Sequence, residues 1–259
     1  MRWALGVVVT GALWAVMLPL NASTHTEGGE RLAAMEPEQR RAAIAAFGET
    51  KDTRAVPALI QLVEETTTDP LDRMDAIYAL GLIGEERAVP VLMAVLERDL
   101  SEREGFAMAA IPALGWLGDR KAVPLLRRAL TKRDDHWLGR EVAAIALGDL
   151  KARDAVPDLI AAAWMADTRA AAIQALAAIA DDRAVQVLFS ALAEDDPVII
   201  NSAEQGLIAI GPATVAFVSE QMDKELHDLR DPAYRQRAVR VLNSIGTDAA
   251  IATATRIAP

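Results

Sequence analysis

The feature that most constrains this chain is a word that recurs. Ala55-Val56-Pro57, Ala88-Val89-Pro90, Ala122-Val123-Pro124 and Ala155-Val156-Pro157 are one tripeptide, and Ala184-Val185-Gln186 is a copy without the proline. The alanines stand 33, 34, 33 and 29 residues apart. Self-similarity at such a period marks an array, in which each unit buries its apolar face against its neighbours rather than in one central core.

Aligning the chain on this word brings further columns into register. One reads Ala43, Ala76, Ala110, Ala143, Ala172, Ala203, Ala238; four residues later stand Phe47, Leu80, Leu114, Leu147, Leu176, Leu207, Leu242. Three beyond come Thr50, Ile83, Leu117, Leu150, Ile179, Ile210, Ile245. Offsets of four and seven share one helix face, so each unit opens with an amphipathic helix. The small alanine is expected where a neighbouring helix crosses closest. A second helix starts near the recurring word, with Val56, Leu59, Ile60 and Val63 again at helical spacing. The proline then falls in the first turn, where backbone N–H groups lack intrahelical partners in any case. Gly84, Gly118, Gly211 and Gly246 are placed to end the first helices. Asp69-Pro70, Asp196-Pro197 and Asp231-Pro232 read as an N-cap followed by proline at the first helical position. Helix, tight turn, helix, seven times over, predicts an all-α chain wound as a right-handed α-solenoid.

Composition agrees. Apolar residues are 52% of the chain and aromatics only 4%, the surplus being Ala, Leu, Val and Ile. Alanine is the best helix former, and its small side chain lets helices approach. The net charge of −10 argues against nucleic acid as a partner, which requires a basic stripe. The absence of cysteine excludes disulfides, thiolate chemistry and zinc-cysteine sites.

The N-terminus bears on compartment. Arg2 precedes an uncharged, mostly apolar run from Trp3 to Leu20, broken near its end by Pro19, with Ala22 or Ser23 at a possible cleavage point. Residues 1–22 read as a secretory signal peptide or, since ~18 apolar residues approach a membrane span, as an uncleaved membrane anchor tethering the chain through residues 3–20. Residues 23–35 form a linker, and residues 36–259 the repeat domain. The expected location is periplasmic or extracellular, or at the membrane by the N-terminal anchor.

The stretches "LGLIGEERAVPVLMAVL" and "LGWLGDRKAVPLLRRAL" resemble HEAT repeats, of the short kind named for phycobilisome lyases. The resemblance covers about residues 36–259, more strongly in units one to five than in six and seven, where the Ala-Val-Pro word is lost. It implies the solenoid fold and second helices that line a concave, partner-binding side. It says little about activity, because the matching residues are core and turn residues. Relatives include an iron-dependent deoxyhypusine hydroxylase that uses His-Glu dipeptides, and this chain has none. Bilin lyases share the repeat, and a lyase-type or pigment-handling protein is the alternative function.

No nucleophile elbow, phosphate loop or zinc-protease motif occurs, and no cofactor is expected. The best metal-like cluster is Asp134-Asp135-His136-Trp137, which reads more simply as a helix cap beside a solvated histidine; Asp181-Asp182 and Asp195-Asp196 read as caps and turns. What remains is surface. Opposite the core face of the second helices lie Gln61, Ala94, Arg128, Ala161 and Ser190, then one turn on Glu65, Arg98, Lys132, Met165 and Glu194. The centre of that row is basic within an acidic protein, a pattern that suits salt-sensitive docking of a partner. Among the tryptophans, Trp116 is expected to be packed, and Trp137 and Trp164 to face a partner. The sequence thus suggests a non-enzymatic interaction scaffold, a monomer, that binds a protein through Gln61, Arg98, Arg128, Lys132, Trp137, Trp164 and Met165.

Overall fold

The computed structural model describes residues 30–134, 137–223 and 231–258. Signal, anchor and most of the linker lie outside these residues. Seven helix pairs follow one another among the described residues. They are α1 (Pro37–Glu49) with α2 (Val56–Glu64), α3 (Pro70–Ile83) with α4 (Val89–Glu102), and α5 (Ala107–Leu117) with α6 (Val123–Thr131). Then come α7 (Gly139–Asp149) with α8 (Val156–Ala162), α9 (Arg169–Ile179) with α10 (Val185–Ala191), α11 (Pro197–Ile210) with α12 (Pro212–Asp223), and α13 (Pro232–Ile245) with α14 (Asp248–Ile257). The chain divides into two compact units between Asp119 and Arg120, the first holding α1–α5 and the second α6–α14. The architecture is an all-α solenoid.

The recurring word has a definite shape. In pairs one to five its alanine closes a single 3-10 turn that runs directly into the second helix (Thr53–Ala55, Glu86–Ala88, Arg120–Ala122, Arg153–Ala155, Asp182–Ala184). Each of those alanines, Ala55, Ala88, Ala122, Ala155 and Ala184, is fully buried, which is why no larger residue stands there. The proline is the second residue of the helix, where its missing N–H leaves no gap. The turn itself is capped by the acid before it: the carboxylates of Asp52 and Asp181 accept from the backbone N–H groups of Arg54 and Arg183 and bond the guanidinium groups as well. Those side-chain bonds hold both carboxyls below the ordinary carboxylate range, against the opposing effect of burial. Their contribution to stability is therefore present above the unfolded pKa and is lost as pH falls through the lowered folded value.

The other caps follow the sequence. Asp69, Asp196 and Asp231 accept from the N–H groups at the starts of α3, α11 and α13. Gly84, Gly118 and Gly246 end α3, α5 and α13 in the left-handed conformation that glycine adopts without strain. Where the repeat lacks that glycine, another residue is forced into the same region: Lys51, Lys151 and Ala180 have φ of 52°, 48° and 52°.

Consecutive first helices pack directly on one another within each unit, α1 on α3 on α5 and α7 on α9 on α11 on α13. The alanine column is buried throughout, as expected. A second column, five residues after it, also lies where first helices approach closely. A Cβ placed on Gly81 would stand 2.7 Å from Ala113 Cα, one on Gly148 would stand 2.8 Å from Ala175 Cα, and one on Gly48 would stand 3.1 Å from Ala79 Cα. The contact Gly206 makes with Ala177 reverses the pattern, glycine now on the later helix, at 2.7 Å.

A second repeated contact lies at the opposite end of the first helices. Three residues before the alanine column stand Arg40, Arg73, Arg140 and Arg169. Arg73 donates to Val63 O (2.8 Å), Arg140 to Lys132 O and Asp134 O (3.1 and 3.3 Å), and Arg169 to Ala163 O (2.7 Å); these carbonyls close or follow the preceding second helix. Arg40 does the same for Ala33 O and Met35 O. Each then reaches an acid further along the chain: Arg40 reaches Asp72 on α3, while Arg73, Arg140 and Arg169 reach Glu104, Asp167 and Glu194, which follow the second helices of their own pairs. A cation at a helix C-terminus complements the dipole there and satisfies carbonyls that the helix leaves open.

Two substitutions test these assignments by urea unfolding. Gly81→Ala would raise intrinsic helix propensity by ~1 kcal/mol, but the overlap with Ala113 is expected to dominate, with a net loss of about 1–3 kcal/mol. Ala180→Gly, which releases a left-handed residue from its Cβ, is expected to gain up to about 1 kcal/mol. A stabilised Gly81→Ala or a destabilised Ala180→Gly would contradict the geometry.

Candidate functional site

The outward positions of the second helices differ in what they offer. In the first unit Gln61 is half-buried on α2, and Arg98 on α4 lies 3.9 Å from Glu104. Glu104 also stands 3.7 Å from the buried Arg73, so Arg98 belongs to a charge cluster that closes on itself. Burial and the neighbouring Arg98 hold the Arg73 guanidinium below its ordinary value, and Phe106 lies under it at 4.6 Å.

In the second unit α6 and α8 pack side by side and are tied by Arg127 and Asp158, whose charged atoms are 2.5 Å apart. Arg128, in the last turn of α6, is exposed beside this pair. One turn further, the Lys132 ammonium sits 4.8 Å above the ring of Trp137. Trp137 itself is only 7% exposed, and its indole N–H donates to Ala129 O at 2.8 Å. The expectation that Trp137 faces a partner is therefore corrected: its ring closes the end of α6, because the N–H finds a carbonyl there and the ring fills the core beside it.

Trp164 lies at the surface. It follows α8 in the turn before α9 and is 62% exposed, with Met165 exposed beside it. The turn is held from below. The hydroxyl of buried Thr168 donates to Ala162 O (2.7 Å), Arg169 donates to Ala163 O, and the Arg169 guanidinium lies 5.7 Å from the Trp164 ring. A large exposed aromatic on a fixed turn, with a flexible methionine beside it, is a surface that gains by being covered. Arg128 and Lys132 belong to α6 and the turn after it, Trp164 and Met165 to the turn that ends the neighbouring α8.

Trp116 reverses its expectation. It is 47% exposed, its ring lying against Gly81 and 6.1 Å from the ring of Tyr78 on the outer face of the first helices.

The metal-like cluster does not assemble as a site among the described residues. Asp135 and His136 lie outside them, and Asp134 contributes its main-chain oxygen to Trp137 N and Arg140. No three His, Asp or Glu side chains among the described residues lie close enough to share a metal ion, and no described helix is long and apolar enough to cross a membrane.

The comparisons with known proteins agree with the fold. The HEAT-repeat family matches residues 29–108, 103–168 and 132–208. Among solved structures, the complex of CpcE and CpcF of phycocyanin lyase from Nostoc sp. PCC7120 is similar at 22% identity and a TM-score of 0.53, with 93% of this chain and 97% of that one covered. At that identity the likeness shows the fold. Human deoxyhypusine hydroxylase, solved in complex with glycerol, aligns at 20% identity and a TM-score of 0.37 over 86% of this chain and 84% of that one. No curated protein sequence matches the chain. With the family matched across most of its length, the chain belongs to the HEAT-repeat proteins.

Proposed function

We propose that this chain is a non-enzymatic scaffold, exported or tethered by its N-terminus, that binds a protein partner through the second-helix side of its repeats. The observation that carries the reading is the exposed Trp164–Met165 turn, braced by Thr168 and Arg169, with Arg128 and Lys132 on the adjoining helix pair. Nothing in the packing of the repeat requires a tryptophan there. Tryptophan and arginine are the side chains most enriched at binding hot spots, and a basic rim steers an acidic partner.

The test uses the full chain as bait in the envelope of its native host. Trp164→Ala is expected to lower partner capture at least tenfold without shifting the melting temperature, since the ring is outside the core. Arg128→Glu should leave stability within about 0.5 kcal/mol and weaken capture, more so at low salt. Undiminished capture by both variants would contradict the assignment. The CpcE–CpcF neighbour belongs to a phycocyanin lyase, so pigment handling is the competing reading. A stoichiometric chromophore on the purified chain would favour it.

Export has its own test. N-terminal sequencing of protein recovered from the host is expected to begin near Ser23, in the soluble fraction. An intact Met1 in the membrane fraction would favour the anchor, and an intact Met1 in the cytoplasm would contradict both.

A further inference from the structure

The first unit carries an apolar surface that the repeat does not account for. Leu71, Tyr78 and Leu82 on α3 and Met108 and Trp116 on α5 are exposed side chains on the outer face of two adjacent first helices. They form one patch: the Tyr78 and Trp116 rings are 6.1 Å apart, and the Tyr78 hydroxyl donates to Met108 O at 3.3 Å. Gly81 lets the edge of the Trp116 ring come close to α3, where a Cβ would stand 3.0 Å from its Cε3. The column of Leu82 and Trp116 is polar or small in the later repeats, while the columns of Leu71 and Tyr78 keep the exposed Leu138, Val198 and Ile145. Where pair two has Tyr78, later repeats have Pro112, Ile145, Gln174, Gln205 and Arg240, Ile145 being exposed as well; where pairs two and three have Leu82 and Trp116, later repeats have Asp149, Ala178, Ala209 and Ser244. What belongs to these two pairs is the joined set, with the Tyr78 and Trp116 rings side by side and Leu82 and Met108 next to them.

Charge says what would cover it. Residues 1–119 hold 18 Asp and Glu against 10 Lys and Arg, so −8 of the chain's −10 resides in the first unit. Around the patch, Asp75 sits half-buried between Leu71 and Tyr78 in the α3 stripe, and Glu49 and Glu86 are exposed near the ends of α1 and α3. Cations share this side as well: Arg41, which lies 3.9 Å from the Asp72 carboxylate, the exposed Lys51, and the exposed Arg87, which pairs with Glu85 beside Glu86. Helices α1, α3 and α5 run parallel, Arg40 meeting Asp72 at one end and Gly48 meeting Ala79 at the other for the first two. Their negative C-terminal dipole ends therefore fall together beside the patch, which favours positive charge there.

Size narrows the occupant further. Large side chains of about 150–250 Å², each 36–49% exposed, present roughly 400 Å². That is about half of the ~800 Å² per partner of a stable protein interface, and a good match to one helix laid across two.

We propose that this face docks a cationic amphipathic helix of a partner protein, its leucine-type anchors on Tyr78, Leu82, Met108 and Trp116 and its lysine or arginine flanks toward the acidic surround. The site is separate from the Trp164 turn and does not depend on it.

The experiment titrates the full chain into a fluorescent 18-residue leucine–lysine peptide with helical periodicity, and into the same peptide with glutamate for lysine. The cationic peptide is expected to bind, tenfold or more weakly at 0.5 M than at 0.05 M salt, and the anionic one not to bind. Trp116→Ala and Leu82→Ser, which leave the charge unchanged, should each weaken binding about tenfold; Trp164→Ala should not. Circular dichroism and thermal melts of the variants confirm that they fold. Equal binding by wild type and both patch variants, or no binding by wild type, overturns the proposal. So would a concentration-dependent dimer in ultracentrifugation that Trp116→Ala abolishes, which would make a second copy the occupant. Binding to neutral phosphatidylcholine vesicles that Leu82→Ser abolishes would assign the face to a lipid surface and equally overturn it.

Discussion

The structure depends on how closely consecutive first helices approach. Gly81 and Gly148 each meet an alanine of the next first helix at a distance a Cβ could not occupy without a shift, Gly48 meets Ala79 only slightly less closely, and between α9 and α11 the roles exchange as Ala177 meets Gly206. With glycine on one side and alanine on the other, backbones touch, and the leucine and isoleucine columns on either side close over them. A helix interior ordinarily disfavours glycine by about 1 kcal/mol relative to alanine. Its persistence here follows from close packing: at native density a single extra methyl group has nowhere to go.

The arginine ladder acts at the other end of the same helices. The guanidinium groups of Arg73, Arg140 and Arg169 bond carbonyls at the close of one second helix and an acid that follows the next second helix, so one side chain links three elements. Such a group is costly to bury unless its donors are engaged, and charged partners make the strongest of these bonds. Pair three lacks the arginine, having Ala107 in that position. There the buried carboxylate of Asp99 takes over the loop, accepting from Gly105 N and Ala107 N at 2.5 and 2.7 Å. Arg73 is held less completely than its counterparts: its second terminal nitrogen and one oxygen of Glu104 are buried without hydrogen-bond partners.

Much of the fold was legible in the sequence because a repeat states its own constraints several times. The period, the helix pairs, the Asp-Pro starts and the glycine stops could be read from single residues whose roles are local. The glycine and arginine columns carried the same kind of signal, at fixed offsets of five after and three before the alanines, and were missed because neither lies on the apolar face that the alignment followed. The tryptophans show the harder limit. Trp116 sits in a helix that is apolar nearly all round, "AMAAIPALGWL", so periodicity assigns it no face. Trp137 lies in a loop between helices, where burial was decided by the Ala129 carbonyl that its N–H could reach. Trp164 was legible as a surface residue, but the bracing by Thr168 and Arg169 that makes it a fixed one was not.

In a stack whose units touch mainly their neighbours, damage to one seam should remain near that seam. Native-state hydrogen exchange of Gly148→Ala against wild type tests this most directly. The account predicts faster exchange, by tenfold or more, in the amides of α7 and α9, whose seam contains Gly148 and Ala175, with α13 and α14 changed far less. Uniform acceleration across all described helices, or exchange in α7 and α9 unchanged from wild type, would contradict it.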